Sequence, residues 1–152
     1  DNTQPADLIP RLVDEVREGG RDVVIASRFQ PGAAVYGVPA LRQLYSRVMS
    51  LLFRVFFPIR GVRDYSCGFR AYRAEVLRRA YQRYGDDGFI TEQGFACMVE
   101  ILFQLDGLGG VRFGEEPMVL RYDLKPTETK MKVAKTIRDT LRVALRHRLG
   151  RG

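Results

Sequence analysis

An α/β fold is what this sequence predicts, on three observations. A run of helical period is stopped by paired glycines and followed at once by a buried-strand run, which is the grammar of alternating helices and strands. Amphipathic helical segments then alternate with short extended pieces along the rest of the chain. Finally, 152 residues of which 45% are apolar, 28% charged and 11% aromatic suffice for the packed core of one domain or part of one, and exclude extended disorder.

The elements follow in order. Asp7 to Val16 reads as a helix with Leu8, Leu12, Val13 and Val16 on one face, Asp7 or Thr3 available as its cap, and Gly19-Gly20 as its stop. Asp22 to Phe29 carries Val23-Val24-Ile25-Ala26, a buried strand ending in Ser27-Arg28. The segment from Gln30 to Pro39, with Pro31-Gly32 and Gly37, reads as a loop long enough to lie over a site. Ala40 to Phe57 is the most apolar stretch, a helix whose only polar strip is Gln43, Arg47, Ser50 and Arg54. Such a helix is either buried on several sides or meets lipid. Pro58 ends it and Gly61 turns the chain. A polar stretch from Arg63 to Tyr72 leads into a helix over Glu75 to Tyr84, a turn at Asp86-Asp87-Gly88, a helix over Phe95 to Leu105, and two extended pieces over Val111 to Tyr122 broken at Pro117.

Charge is placed unevenly. Residues 125–152 hold nine Lys and Arg against two acidic residues, which accounts for the whole net charge of +7, and the first 124 residues are neutral. On a helical wheel Val133, Ala134, Ile137, Leu141, Ala144 and Leu145 share one arc, and Lys132, Lys135, Arg142 and Arg146 the other. This amphipathic basic helix, from Lys130 to Arg148, either docks its apolar stripe on its own domain or lies on an anionic membrane surface. Nucleic acid is not expected, because the segment lacks interleaved aromatics for stacking.

Other chemistries are excluded by residue type. Cys67 and Cys97 lie thirty apart without a CxxC or a His/Cys cluster, so neither a disulfide framework nor a zinc site is predicted, and a reducing compartment fits. Ser66-Cys67-Gly68 has no base placed for a nucleophile, because the single histidine, His147, sits on the basic tail. No apolar run reaches the length of a spanning helix, and no leader pattern stands at the start. Asp1 in place of Met marks the chain as a piece of something longer. Arg28, Arg42, Arg70 and Lys130 all fall at the ends of elements, where α/β sheets collect anionic ligands.

Five stretches, taken together and in order, resemble a known family. They are Asp1 to Pro10, Asp22 to Phe29, Asp64-Tyr65-Ser66-Cys67-Gly68-Phe69-Arg70-Ala71-Tyr72, Glu116-Pro117-Met118 and Thr129-Lys130-Met131. They are similar to the later motifs of the dolichol-phosphate mannose synthase type of inverting glycosyltransferase, over essentially the whole chain. The resemblance implies the acceptor-side half of a GT-A (Rossmann-like) catalytic domain over residues 1–124, then an acceptor loop and the basic helix over residues 125–152. It implies transfer of a sugar from a nucleotide-sugar, GDP-mannose-like or a UDP-sugar, to a polyprenyl phosphate or other lipid-linked acceptor, by a peripheral enzyme on the cytoplasmic face of a membrane. By itself this chain is expected to be inactive.

The same resemblance assigns residues. Asp1 matches the second aspartate of the metal motif, implying Mg²⁺ or Mn²⁺. Arg28, Arg42 and Lys130 match phosphate-associated positions, and Asp64 opens the stretch with Ser66 and Arg70 that lines the acceptor side; Arg28 and Asp64 are the expected catalytic pair. The family's Arg-x-x-Gly-x-Ser-Lys loop reads Leu124-Lys125-Pro126-Thr127-Glu128-Thr129-Lys130 here, so Lys125 or Arg121 supplies the missing cation. The rival of a different class is a non-catalytic module that binds anionic lipid or nucleic acid through the basic helix.

Overall fold

The computed structural model describes residues 3–94, 96–124, 138–143 and 145–146. These residues form mixed α/β structure in two compact units, one built from residues 3–73 and 112–124, the other from residues 74–111 and the described part of 138–146. The boundary expected after residue 124 adjoins a stretch outside the described residues.

The first unit is organised around one strand. β1 (Val23–Ser27) is buried along its whole length, as the β-branched run Val23-Val24-Ile25 requires of a central strand. It pairs antiparallel with β3 (Arg70–Tyr72) and parallel with β4 (Phe113–Pro117), with Ile25 opposite Arg70 on one side and Glu115 on the other. Helix α1 (Leu8–Arg17) buries Leu8, Leu12 and Val16, spaced four apart on one face, and leaves Val13 partly exposed. Asp7 stands at its N-cap without a side-chain cap bond, and the carbonyls of Pro5 and Ala6 accept the first N–H groups instead. Asp22, just before β1, is buried and holds Arg112 and Arg73 in ion pairs, tying the starts of β1 and β4 to the residue after β3. Burial alone would raise its pKa, but these arginines hold the carboxyl below its usual range.

The expected long loop from Gln30 to Pro39 contains a strand. After a turn in which Ala33 N–H donates to the Gln30 carbonyl (3.0 Å), β2 (Ala34–Tyr36) pairs parallel with β5 (Val119–Arg121). Three residues are too few to show an alternating signal in sequence. A 3₁₀ turn, Tyr122–Leu124, follows β5.

Helix α2 (Ala40–Phe56) does not follow the first of the two readings of its sequence, burial on several sides. Only Ser50 and Phe53 are buried, whereas Leu41, Leu44, Leu51, Val55 and Phe56 are each more than half exposed. The helix is held along one narrow edge. Phe53 stacks on Tyr65 with ring centroids 5.3 Å apart, and the Ser50 hydroxyl donates to the Arg63 carbonyl. The Tyr65 hydroxyl in turn donates to the Phe57 carbonyl and accepts from Ile59 N–H, 3.0 Å each. Among the described residues no helix is long and apolar enough to cross a membrane.

Gly61 illustrates how tightly the chain after α2 runs. Its φ is +88°, and a Cβ there would sit 2.5 Å from the Phe113 carbonyl oxygen. Gly61→Ala is expected to destabilise the unit by more than about 1 kcal/mol, read as a lower urea midpoint at unchanged slope.

The second unit is helical: α3 (Ala74–Tyr84), the single turn α4 (Asp86–Phe89) where a plain turn was expected, and α5 (Ala96–Gly107). α5 buries Val99, Leu102, Phe103 and Leu105, and Phe89 packs edge-on against Tyr81 at 5.1 Å. Residues 138–143 and 145–146 are helical, and the rest of the expected basic helix lies outside the described residues. Of the six residues on the apolar arc read from the sequence, Val133, Ala134, Ile137 and Ala144 lie outside the described residues. Thr140 and Val143 are the buried residues, while Leu141 and Leu145 are exposed. The Arg146 guanidinium donates to Glu92 Oε1 at 2.9 Å, and the buried Glu100 carboxylate fixes that loop by accepting from Thr91 and Glu92 N–H, 2.9 Å each.

Candidate functional site

The carboxyl end of β1 carries the candidate site. Arg28 follows directly on Ser27 and turns back onto Asp64, thirty-six residues later, in a two-pronged pair: Nε donates to Oδ2 at 2.8 Å and Nη2 to Oδ1 at 2.7 Å. Arg28 N–H donates to the same carboxylate at 3.1 Å, as do Cys67 N–H at 3.1 Å and Ser66 N–H at 3.3 Å. Arg28 Nη2 also reaches Ser66 Oγ at 2.6 Å.

The pair is asymmetric in exposure. The Asp64 side chain is 0% exposed and that of Arg28 19%, so the carboxylate is sealed while the arginine side chain keeps some contact with solvent. Burial alone would push the Asp64 pKa up; hydrogen bonds and charge from Arg28 prevail, and the carboxyl lies below its usual range. Burial works against the charge of Arg28 as well, and Asp64 outweighs it, so the guanidinium is held firmly protonated. Burial and the neighbouring Asp64 charge push the Cys67 thiol up to about 11, which keeps it protonated at neutral pH, in keeping with the exclusion of a nucleophilic role.

Arg70 opens β3 and donates from Nη2 to the Tyr65 carbonyl at 2.9 Å, pinning the 64–68 turn from the other side. Two further candidate arginines lie beside β2 and β5. Arg42, at the start of α2, lies over the Tyr122 ring at 5.3 Å, and Arg121 lies over the Tyr36 ring at 5.5 Å while pairing with Asp123 at 2.8 Å. Thr3 is buried, and its carbonyl accepts Arg121 N–H at 3.0 Å.

The structure therefore brings Arg28, Asp64, Ser66 and the Arg70 anchor into one cluster, and places Arg42 and Arg121 on aromatic rings. Asp1, Lys125 and Lys130 lie outside the described residues. Among the described residues no group of three or more His, Cys, Asp or Glu converges as a metal site.

Sequence reasoning missed Glu115. It stands on β4 opposite Ile25, and its Oε1 accepts N–H from Arg63 (2.5 Å) and Asp64 (2.7 Å), while Oε2 accepts from Gln30 Nε2 (3.1 Å). The only sequence signal was a carboxylate inside an extended piece, Phe113-Gly114-Glu115-Glu116-Pro117, where an apolar residue is the commoner choice.

A rigid, partly exposed arginine at the carboxyl end of a strand that has a parallel neighbour suits an anionic ligand, and the fold and cluster together define an α/β unit of that class. Comparison with known proteins makes the class specific, although no family model matches the chain. It is 32% identical over 109 residues to the undecaprenyl-phosphate mannosyltransferase of Micrococcus luteus, covering 72% of this chain and 42% of that protein. It is 30% identical over 105 residues to the dolichol-phosphate mannosyltransferase of Pyrococcus furiosus (68% and 27%), and 28% identical over 104 residues to the polyprenol monophosphomannose synthase of Mycolicibacterium smegmatis (68% and 37%). The chain is similar to polyprenyl-phosphate mannosyltransferases of the dolichol-phosphate mannose synthase type, and spans less than half the length of each of these relatives.

Proposed function

We propose that this chain forms the acceptor-side part of a GT-A catalytic domain, in a protein that transfers a hexosyl group, mannose by the relatives' names, from a nucleotide-sugar to a polyprenyl phosphate. The observation that carries the reading is the Arg28–Asp64–Ser66 cluster at the end of β1 in a chain similar to three polyprenyl-phosphate mannosyltransferases. Those relatives are transferases by name, which lends no support to a non-catalytic module.

The chemistry asks more for cations than for a base. A phosphate monoester with a second pKa of about 6 is already largely dianionic at neutral pH. Its oxygen attacks the anomeric carbon as the bond to the nucleoside diphosphate breaks, and the electron pair leaves with the diphosphate. Two anions must be held close together, so fixed guanidinium groups lower the barrier by screening their repulsion and taking up leaving-group charge. The partly exposed Arg28, with Arg42 and Arg121, supplies these in our reading, and Lys125 and Lys130 extend the set. Asp64, with both oxygens engaged and no exposure, acts by positioning Arg28 and not as a reacting group. A divalent metal, Mg²⁺ or Mn²⁺, is proposed to be held through Asp1 and would supply neutralisation of leaving-group charge, a reading that rests on the match of Asp1 to the family's metal motif. The exposed apolar face of α2 supports work at a membrane surface, which we place on the cytoplasmic side.

The test is transfer of labelled mannose from GDP-mannose to a short polyprenyl phosphate by the full-length protein. Arg42→Ala is expected to lower the rate about 10²–10³-fold, the scale of one removed charge-stabilising group, and Arg17→Ala, on the exposed face of α1, to leave it unchanged. Equal small losses at both positions would remove Arg42 from the phosphate site, and failure to label any polyprenyl phosphate from any nucleotide-sugar would overturn the reading.

A further inference from the structure

We propose that Glu115 is a positioning residue of the transferase site, holding in register the two loops that carry Arg28 and Asp64. The inference rests on the reading of Arg28 as a phosphate-facing group, and extends it to a residue outside the five motif stretches.

The geometry is specific. Arg28 sits on the connection from β1 to β2, and Asp64 on the connection from α2 to β3. Neither loop has a strand partner at the site, so the two-pronged pair forms only if something else fixes the distance between their backbones. Glu115 reaches both. Oε1 takes two consecutive backbone N–H groups, of Arg63 and of Asp64 itself, and Oε2 takes the amide of Gln30, two residues beyond Arg28. The parallel pairing of β4 with β1 puts Glu115 opposite Ile25, three residues before Arg28, so a regular part of the sheet sets the carboxylate. Successive N–H groups converging on one oxygen form an anion-holding concavity, and a neutral or shorter side chain cannot serve all three donors.

This arrangement differs from a generic structural bond in what depends on it. Removing Glu115 leaves β1 and β4 paired through their backbone, because that ladder does not use the side chain. What is loosened is the 63–64 backbone, left with the Ser50 bond at the Arg63 carbonyl and the Arg70 bond at the Tyr65 carbonyl, and with it the aim of the Arg28 fork. A displacement of the order of 1 Å at a positioned charge lowers a rate on the order of 100-fold without removing any group that touches substrate.

Two measurements on the full-length protein test the proposal. In hydrogen exchange read by mass spectrometry, Glu115→Ala should speed exchange in the peptide spanning residues 60–68 by about tenfold or more while the peptide covering α5 is unchanged. In transfer assays Glu115→Ala should lower kcat on the order of 100-fold, and should add little to Arg28→Ala, since both act through the same guanidinium. Glu115→Gln keeps one oxygen for the paired N–H groups and should recover most of both losses. Unchanged exchange at residues 60–68 overturns the proposal, as does a loss in kcat that adds fully to that of Arg28→Ala. Should Arg28→Ala leave transfer intact, the assignment of Arg28 falls while the exchange measurement still decides whether Glu115 holds the loops.

Discussion

Arg28→Ala is expected to destabilise the first unit by about 3–5 kcal/mol, because it strands a carboxylate that has no exposure to water. Asp64→Asn should cost less, since the Arg28 side chain keeps partial access to solvent once its partner is neutral. Replacing both together, Arg28→Met with Asp64→Leu, should recover only part of the loss, because the stranded charge is gone but the N–H groups of residues 28, 66 and 67 lose their acceptor. Urea denaturation of the three variants beside the parent makes the comparison.

The pH dependence separates this explanation from a simple loss of packing. In the parent the folded-state pKa of Asp64 lies below its unfolded value, so the contribution of the pair is fully present above the ordinary carboxylate range, near ~3.9, and is lost as pH falls through the folded value. In Arg28→Ala the guanidinium no longer offsets burial, only the N–H groups of residues 28 and 67 still do, and burial is expected to prevail and lift that pKa above the unfolded value. Folding then takes up a proton, and the variant should gain stability as pH falls from neutrality towards 4, where the parent is flat. Asp22, also held low by its arginines, titrates alike in both proteins and cancels in the difference. A variant whose stability falls in parallel with the parent on acidification would mean that the Asp64 charge is not what was stranded.

Legibility of the fold from sequence tracked how local its causes are. Helix α1 and strand β1 show themselves by period and by a β-branched run, because the forces that place them act within a few residues. β2 and β5 were harder: each is three residues long and exists through its partner eighty-five positions away. The same distinction governs the site. Arg28, Asp64 and Ser66 were visible as residue types in a pattern, but their assembly into a sealed fork joins positions 36 and 38 apart. The 64–67 stretch looks polar in sequence and is mostly buried, since its polarity is spent internally on Arg28 and on its own N–H groups. Glu115 lay beyond reach for a further reason, in that two of its three donors are backbone N–H groups, which every residue but proline carries.

Changing Leu44, Leu51 and Val55 together to Gln is expected to lower binding of the full-length protein to anionic vesicles by about 100-fold while leaving its thermal unfolding almost unmoved. Each side chain is more than half exposed, so the folded core loses little. If the face enters the interfacial zone instead, each contributes about 1 kcal/mol, roughly half of what full burial of such a side chain yields, and three such losses amount to about a hundredfold. α2 is a cleaner target for this test than the basic tail. Arg146 is engaged with Glu92 within the second unit, so its removal changes docking as well as charge. The control is Lys132, Lys135 and Arg142 changed to Gln, which should weaken binding at low salt and hardly at all at high salt, because attraction to anionic headgroups is screened and apolar insertion is not. Should the α2 variant sediment with vesicles as well as the parent at both salt concentrations, its apolar face takes no part in membrane contact, and the peripheral placement would have to rest on other segments of the protein.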